Sequence, residues 1–145
     1  MSAVSEVMSS KKIITVSIET DPSAIDVTEL MIKNEVGSVL VVDSGNKPIG
    51  IITERDLLKK ISASNKFPKD IAAKDVMSSP VITIQTIDSV ETASAIMTKN
   101  KIKRLVVLEQ DGSLAGVLSV TDITRKLARI LVNDYNRYGF LKAIL

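Results

Sequence analysis

Short apolar runs alternate with polar punctuation along this chain, and helical stripes stand between them. Ile13-Ile14-Thr15-Val16 is a β-branched run that predicts a strand. In Glu19-Thr20-Asp21-Pro22, Asp21 is the expected helix N-cap and Pro22 the first helical residue, where a missing N–H is no loss. Ala24, Val27, Leu30 and Met31 then recur at helical spacing and make one apolar stripe. Ser38 to Asp43 is nearly all apolar and too short for a helix, so it reads as a buried strand. Ser44-Gly45-Asn46 is turn chemistry. Ile49 to Thr53 returns as a strand, and Glu54 to Ile61 starts a helix.

The same order then recurs. Val81 to Ile84 is the strand, Asp88 the expected cap, and Val90, Ala93 and Met97 the stripe of the next helix. Leu105 to Leu108 is the buried strand, Asp111-Gly112 the turn and Ala115 to Ser119 the return strand. A final helix begins near Val120 and runs past Leu131. The stretch from Asn34 to Leu57 aligns without a gap with Asn100 to Ile123, so that Asn34/Asn100, Val41/Val107, Gly50/Gly116 and Asp56/Asp122 fall in register. Val7-Met8-Ser9 likewise matches Val76-Met77-Ser78. Each β-α-β-β-α unit is too small to hide its own apolar face, whereas two together share a core. The fold class expected is α/β (α+β), with two such repeats packed about a pseudo-twofold axis. The first repeat covers residues 5–62, a polar linker 63–72, the second repeat 73–130 and a C-terminal helical tail 131–145.

Composition narrows the chemistry. Of 145 residues 45% are hydrophobic but only 3% aromatic, so the core must be built from Ile, Val, Leu, Ala and Met. There is no cysteine and no histidine, which removes disulfides, thiolate metal sites and the usual general base. No Gly-rich phosphate loop, metal-ligand cluster or nucleophile–base pair is evident, so no enzymatic activity and no cofactor are expected. A net charge of +2 with interspersed signs is too weak to argue for a nucleic-acid surface. No apolar run approaches the roughly 20 residues of a membrane span. The start, MSAVSEVMSSKK, lacks the apolar stretch of a secretory signal, so a cytoplasmic location is expected.

Asp75-Val76-Met77-Ser78, Pro80-Val81-Ile82-Thr83, Lys103-Arg104-Leu105-Val106-Val107 and the stretch from Gly116 to Asp122 together resemble a CBS domain. The first repeat, ending in the stretch from Gly50 to Leu57, resembles one equally. The resemblance implies a tandem pair, or Bateman module, that binds AMP, ADP, ATP or S-adenosylmethionine as a regulatory ligand. Such modules usually control an attached enzyme or transporter. This chain looks like a stand-alone pair, which implies action on a separate partner protein, and the family typically forms homodimers.

Thr53-x-x-Asp56 and Ser119-x-x-Asp122 stand where a strand hands over to a helix, and two readings fit them. Ser/Thr followed three residues later by an acid caps free helix N–H groups. The same geometry offers N–H donors and a positive dipole end to phosphate, and a carboxylate to the two hydroxyls of a ribose. The family pattern implies that each cleft draws on both repeats. The first cleft then combines Thr53, Arg55 and Asp56 with Val81, Ile82, Lys103 and Arg104; the second combines Ser119, Thr121 and Asp122 with Ile13, Ile14, Gly37 and Ser38. Val81/Ile82 and Ile13/Ile14 would flank adenine, and Lys103 and Arg104 would face phosphates. On this assignment the Asp56 cleft is expected to hold polyphosphates more tightly.

Ala24, Val27, Val90 and Ala93 form a matching stripe that suits either a dimer face or ordinary core packing. The tail is amphipathic, with Leu127, Ile130, Leu131, Tyr135 and Tyr138. Its basic residues Arg125, Lys126, Arg129, Arg137 and Lys142 keep a nucleic-acid-binding reading open, although Asp134 interrupts them. A structural adaptor with non-functional clefts is the other alternative.

Overall fold

A computed structural model describes residues 2–138. In chain order its elements are α1 (Val4–Val7), β1 (Thr15–Ser17), α2 (Ala24–Asn34), β2 (Ser38–Val42), β3 (Pro48–Thr53), α3 (Glu54–Ser62), α4 (Ala73–Val76), β4 (Thr83–Gln85), α5 (Val90–Asn100), β5 (Arg104–Leu108), β6 (Leu114–Ser119) and α6 (Val120–Tyr138). The mixed α/β class and the doubled order are as the sequence pattern predicts. Among the described residues there are two three-stranded sheets, β1-β2-β3 and β4-β5-β6. In each, the first strand runs parallel and the third antiparallel to the middle one, and a register irregularity falls near the end of the middle strand.

Where the elements begin departs from the sequence reading in two ways. The first strand of each repeat starts later, at Thr15 and Thr83, because a strand is defined by its ladder and not by its β-branched residues. Ile13, Ile14, Val81 and Ile82 therefore precede the strands they were expected to occupy. The caps also differ. Ser23, not Asp21, caps α2: its hydroxyl accepts from Asp26 N at 3.2 Å, and Asp26 Oδ2 accepts from Ser23 N at 2.8 Å. Asp21 instead takes a left-handed conformation (φ 45°) just after a short 3₁₀ turn. Ser89, not Asp88, caps α5 by accepting from Thr92 N at 3.1 Å, while Asp88 accepts from Gln85 N at 2.9 Å and closes the preceding turn. In both cases the hydroxyl one or two residues further on reaches the orphan N–H that the carboxylate was expected to take.

The chain divides into two compact units, and their boundaries cross the repeats. One unit is Lys11–Ile82, which includes α4 from the start of the second repeat. The other joins the N-terminal segment through Ser10, with α1, to the chain from Thr83 onward. In the first unit Ala24 N donates to Ile71 O at 2.7 Å and Ala73 N to Pro22 O at 2.8 Å. Its core is Ala24, Val27, Met31, Val39, Val41, Ile52, Ile71, Ala73 and Val76. In the second unit Val4 N donates to Asp88 O at 2.8 Å and Ser5 N to Thr86 O at 3.0 Å. Val4, Val7, Ala93, Met97, Leu105, Val107 and Leu118 are buried there. Full burial of each Val, Leu or Ile side chain contributes about 1.5–3 kcal/mol. Ala24 and Val27 belong to the core of the first unit and Ala93 is buried in the second, as the core-packing reading has it, while Val90 is half-buried.

The residues that recur in the sequence have matching structural jobs. Asn34 and Asn100 each donate a side-chain amide to the carbonyl four residues back, at 2.8 Å, near the end of α2 and α5. Val41 pairs with Gly50 and Val107 with Gly116 across the ladder. Both glycines lie at a close approach: a Cβ at Gly50 would overlap Met77, and one at Gly116 would overlap the terminal methyl of Met8. The repeated Val-Met-Ser segment is therefore the lid over the repeated glycine. In the β5–β6 turn, Gly112 has φ +87°. Asp111 Oδ1 accepts from Ser113 Oγ at 2.6 Å and from Ser113 N at 2.9 Å, and these bonds lower the Asp111 pKa below the ordinary carboxylate range.

Candidate ligand-binding site

In the unit Lys11–Ile82, β3 passes directly into α3, so Thr53 is both the last strand residue and the helix N-cap. Thr53 Oγ1 accepts from Asp56 N at 3.2 Å. Asp56 Oδ2 accepts from Thr53 N at 2.9 Å and from Thr53 Oγ1 at 3.0 Å. The capping reading of Thr-x-x-Asp is thus correct as far as it goes. It uses only one carboxylate oxygen. The other, Oδ1, accepts from Ser78 Oγ at 2.8 Å. The start of β2 lies alongside: Ser38 is the ladder partner of Thr53, and Glu54 N donates to Gly37 O at 3.3 Å. Ile13 and Ile14 are half-buried just ahead of β1, and Ile14 O accepts from Leu40 N at 3.0 Å. Val81 and Ile82, also half-buried, close this unit, and Arg55 is exposed on the first turn of α3.

The other unit repeats the arrangement with different charges. Ser119 Oγ accepts from Asp122 N at 3.2 Å, and Asp122 Oδ2 accepts from Ser119 N at 2.9 Å. Asp122 Oδ1 is held by Arg125 Nη1 at 3.3 Å. The Asp122 side chain is 5% exposed and that of Arg125 47%. Arg104 is the ladder partner of Ser119, and Val120 N donates to Lys103 O at 2.9 Å. Lys103 is exposed and Arg104 half-buried, while Thr121 is exposed on the first turn of α6.

The register sets which residues adjoin each helix start within its own unit. Lys103 and Arg104 adjoin the Ser119/Asp122 helix start, and Gly37 and Ser38 adjoin the Thr53/Asp56 start. The clefts expected from the family pattern pair residues of the two repeats, and these adjacencies are those within each unit. The reason is the hairpin: the residues that open a middle strand are the ladder partners of those that end the return strand. The three charged residues 54–56 sum to −1. Lys103, Arg104, Asp122 and Arg125 sum to +2. Sequence reasoning missed Ser78 and Arg125. Ser78 had a signal in the repeated Val-Met-Ser segment; Arg125 had one in its position three residues after Asp122, where helical side chains meet.

Among the described residues no group of three or more Asp or Glu side chains is placed to hold a metal ion. No helix there is long and apolar enough to cross a membrane. On α6, Leu127, Ile130 and Leu131 are exposed and Tyr135 is half-buried. Lys142 of the basic tail lies outside the described residues.

Comparison with known proteins bears on this geometry. The family model for the CBS domain matches residues 4–63 and 73–129. An uncharacterised protein of Methanopyrus kandleri is 38% identical over 101 residues, which are 70% of this chain and 52% of that one, so the chain spans about half its length. A CBS domain protein from Pyrobaculum aerophilum, solved in complex with AMP, is 27% identical with a TM-score of 0.72; the match covers 83% of this chain and 89% of that one. The CBS domain pair of protein MJ0100, solved with 5′-methylthioadenosine and S-adenosylmethionine, is 25% identical with a TM-score of 0.75, covering 87% and 99%.

Proposed function

The chain belongs to the CBS-domain family, and from that premise we propose that it is a regulatory module that binds an adenine nucleotide (AMP, ADP or ATP) and acts on a separate protein. The observation that carries this reading is the pair of strand-to-helix junctions. Each fixes one carboxylate oxygen in a capping box and holds the other through a side-chain donor that a ligand hydroxyl can replace. Thr53 and Ser119 then orient the carboxylates of Asp56 and Asp122 toward ribose hydroxyls. Lys103 and Arg104 serve phosphate. Ile13, Ile14, Val81 and Ile82 offer apolar contact and backbone groups to adenine, while Arg55, Thr121, Gly37 and Ser38 border the helix starts.

The crystallised relatives with AMP and with S-adenosylmethionine support an adenosyl ligand. The role is regulatory, not catalytic, and ATP turnover by the pure protein would overturn that part. The division proposed is a repeat at 5–62, a linker at 63–72, a repeat at 73–130 and a tail at 131–145. We also propose a cytoplasmic homodimer. The exposed α6 residues Leu127, Ile130 and Leu131 supply the apolar surface it needs, and light scattering of the purified chain tests it.

Thermal unfolding of the pure protein with AMP, ADP, ATP or S-adenosylmethionine, one at a time, tests the central reading. A ligand that binds only the folded state raises Tm by mass action, by an amount set by its concentration over Kd. A shift with an adenine nucleotide supports the sensor. A shift with S-adenosylmethionine alone keeps the module and changes its ligand. No shift with any of the four turns the reading toward a structural adaptor.

A further inference from the structure

We propose that Arg125 makes the Asp122 site selective for phosphorylated over uncharged adenosine. This deepens the nucleotide reading and rests on it. The two carboxylates differ in what occupies the oxygen that capping leaves over. At Asp56 the Oδ1 partner is a neutral hydroxyl, Ser78 Oγ at 2.8 Å. At Asp122 it is a guanidinium, Arg125 Nη1 at 3.3 Å.

A ribose diol arriving at Asp56 exchanges one hydroxyl donor for another, and no charge is left over. A diol arriving at Asp122 must displace a cation from a carboxylate whose side chain is 5% exposed. The guanidinium then loses a charge-assisted hydrogen bond, which is stronger than a neutral one. A neutral nucleoside returns nothing for it. A phosphate does, because a released guanidinium matches phosphate geometry with two parallel N–H donors. Arg125 lies on the first turns of α6 with a half-exposed side chain free to reorient from its stem, in the unit that also holds Lys103 and Arg104. The pair thus couples ribose binding to phosphate binding at one site and leaves them uncoupled at the other.

The test is calorimetric binding of AMP and of adenosine to the full chain, in wild type and in an Asp56→Asn background that silences the first site while keeping its shape. In that background we expect AMP to bind at least tenfold more tightly than adenosine. Arg125→Ala should cut this ratio at least fivefold, in part by strengthening adenosine, with Tm little changed. Arg125→Lys should keep part of the ratio. A residue with a merely structural role would weaken both ligands together, so an unchanged ratio in Arg125→Ala overturns the proposal. Loss of AMP binding in Asp56→Asn alone also overturns it, since AMP would then sit at Asp56. If wild type binds neither ligand, this inference falls, and the nucleotide reading falls with it if ADP and ATP also fail to bind. If wild type binds both and only the Arg125 ratio is unmoved, that reading stands and this inference falls.

Discussion

The Ser78 hydroxyl donates to Asp56 Oδ1 at 2.8 Å, joining a residue just past α4 to the first turn of α3. Two further ties bind the same segment to β3. Ser78 N and O exchange bonds with Ile51 at 2.9 and 3.0 Å, and Ser79 Oγ donates to Ile49 O at 2.8 Å. Asp56 is therefore a cap for its own helix and an anchor for a segment 22 residues on. Ser78→Ala removes the anchor without touching the cap. We expect a loss of about 0.5–1.5 kcal/mol of stability, the net value of one hydrogen bond. Adenosine affinity should rise a few-fold, because the ligand no longer competes with Ser78. Urea unfolding and calorimetry read the two effects; reduced affinity would make Ser78 a ligand contact instead.

The two recurring glycines are not equally constrained. A Cβ at Gly50 would meet Met77 along its length, at Sδ, Cγ and Cβ, whereas one at Gly116 would meet only the terminal methyl of Met8. A methyl at the end of a flexible side chain moves aside easily; a stem fixed near its own backbone does not. Gly50→Ala should cost about 1–3 kcal/mol, the range for overpacking a core. Gly116→Ala should cost distinctly less. Urea midpoints of the two variants decide this, and the reverse order would contradict the packing.

The caps give a third comparison. Ser23→Ala removes the hydroxyl that holds Asp26 N and should cost about 1 kcal/mol, as cap losses typically do. Asp21, the residue a sequence reader would choose, sits at φ 45° and contributes no cap to α2. Asp21→Gly should be neutral or slightly stabilising, since glycine adopts that conformation without penalty. A larger loss of Tm for Asp21→Gly than for Ser23→Ala would reverse the cap assignment.

Much of this was legible because the repeat is written in residues with local jobs. The apolar alternation around Val41 and Val107, the Asn-to-Gly-to-Asp order and the Ser/Thr-x-x-Asp spacing each report an interaction within a strand, a turn or a first helical turn. The contents of the sites were legible only in part. That Lys103 and Arg104 adjoin Ser119 within their own unit follows from hairpin register, which the sequence carries. The exchange of α1 and α4 between the compact units leaves little periodic signal, since each is one helical turn of four residues. Its trace was the matched Val-Met-Ser segment, whose purpose appears only when Met77 is seen against Gly50 and Met8 against Gly116.

Lys60 supplies the last prediction. Its Nζ donates to Val76 O at 2.6 Å and to Met77 O at 3.2 Å, the carbonyls that end α4. A cation there satisfies orphan acceptors and opposes the negative end of the helix dipole. Lys60→Met keeps the aliphatic stem and removes the charge and the donors. Charge-assisted bonds contribute about 1.5–3 kcal/mol when well shielded. Lys60 is exposed as a whole, so the loss should be smaller, about 1 kcal/mol. The effect should also be local. Ser78 N, bonded to Ile51 O at 2.9 Å, should lose hydrogen-exchange protection more than the amides of β2, because the segment then keeps its ties to Asp56, Ile51 and Ile49 but loses the one to Lys60. Equal loss across the unit would mean that Lys60 stabilises the fold globally; unchanged protection at Ser78 would mean that the β3 contacts hold the segment without it.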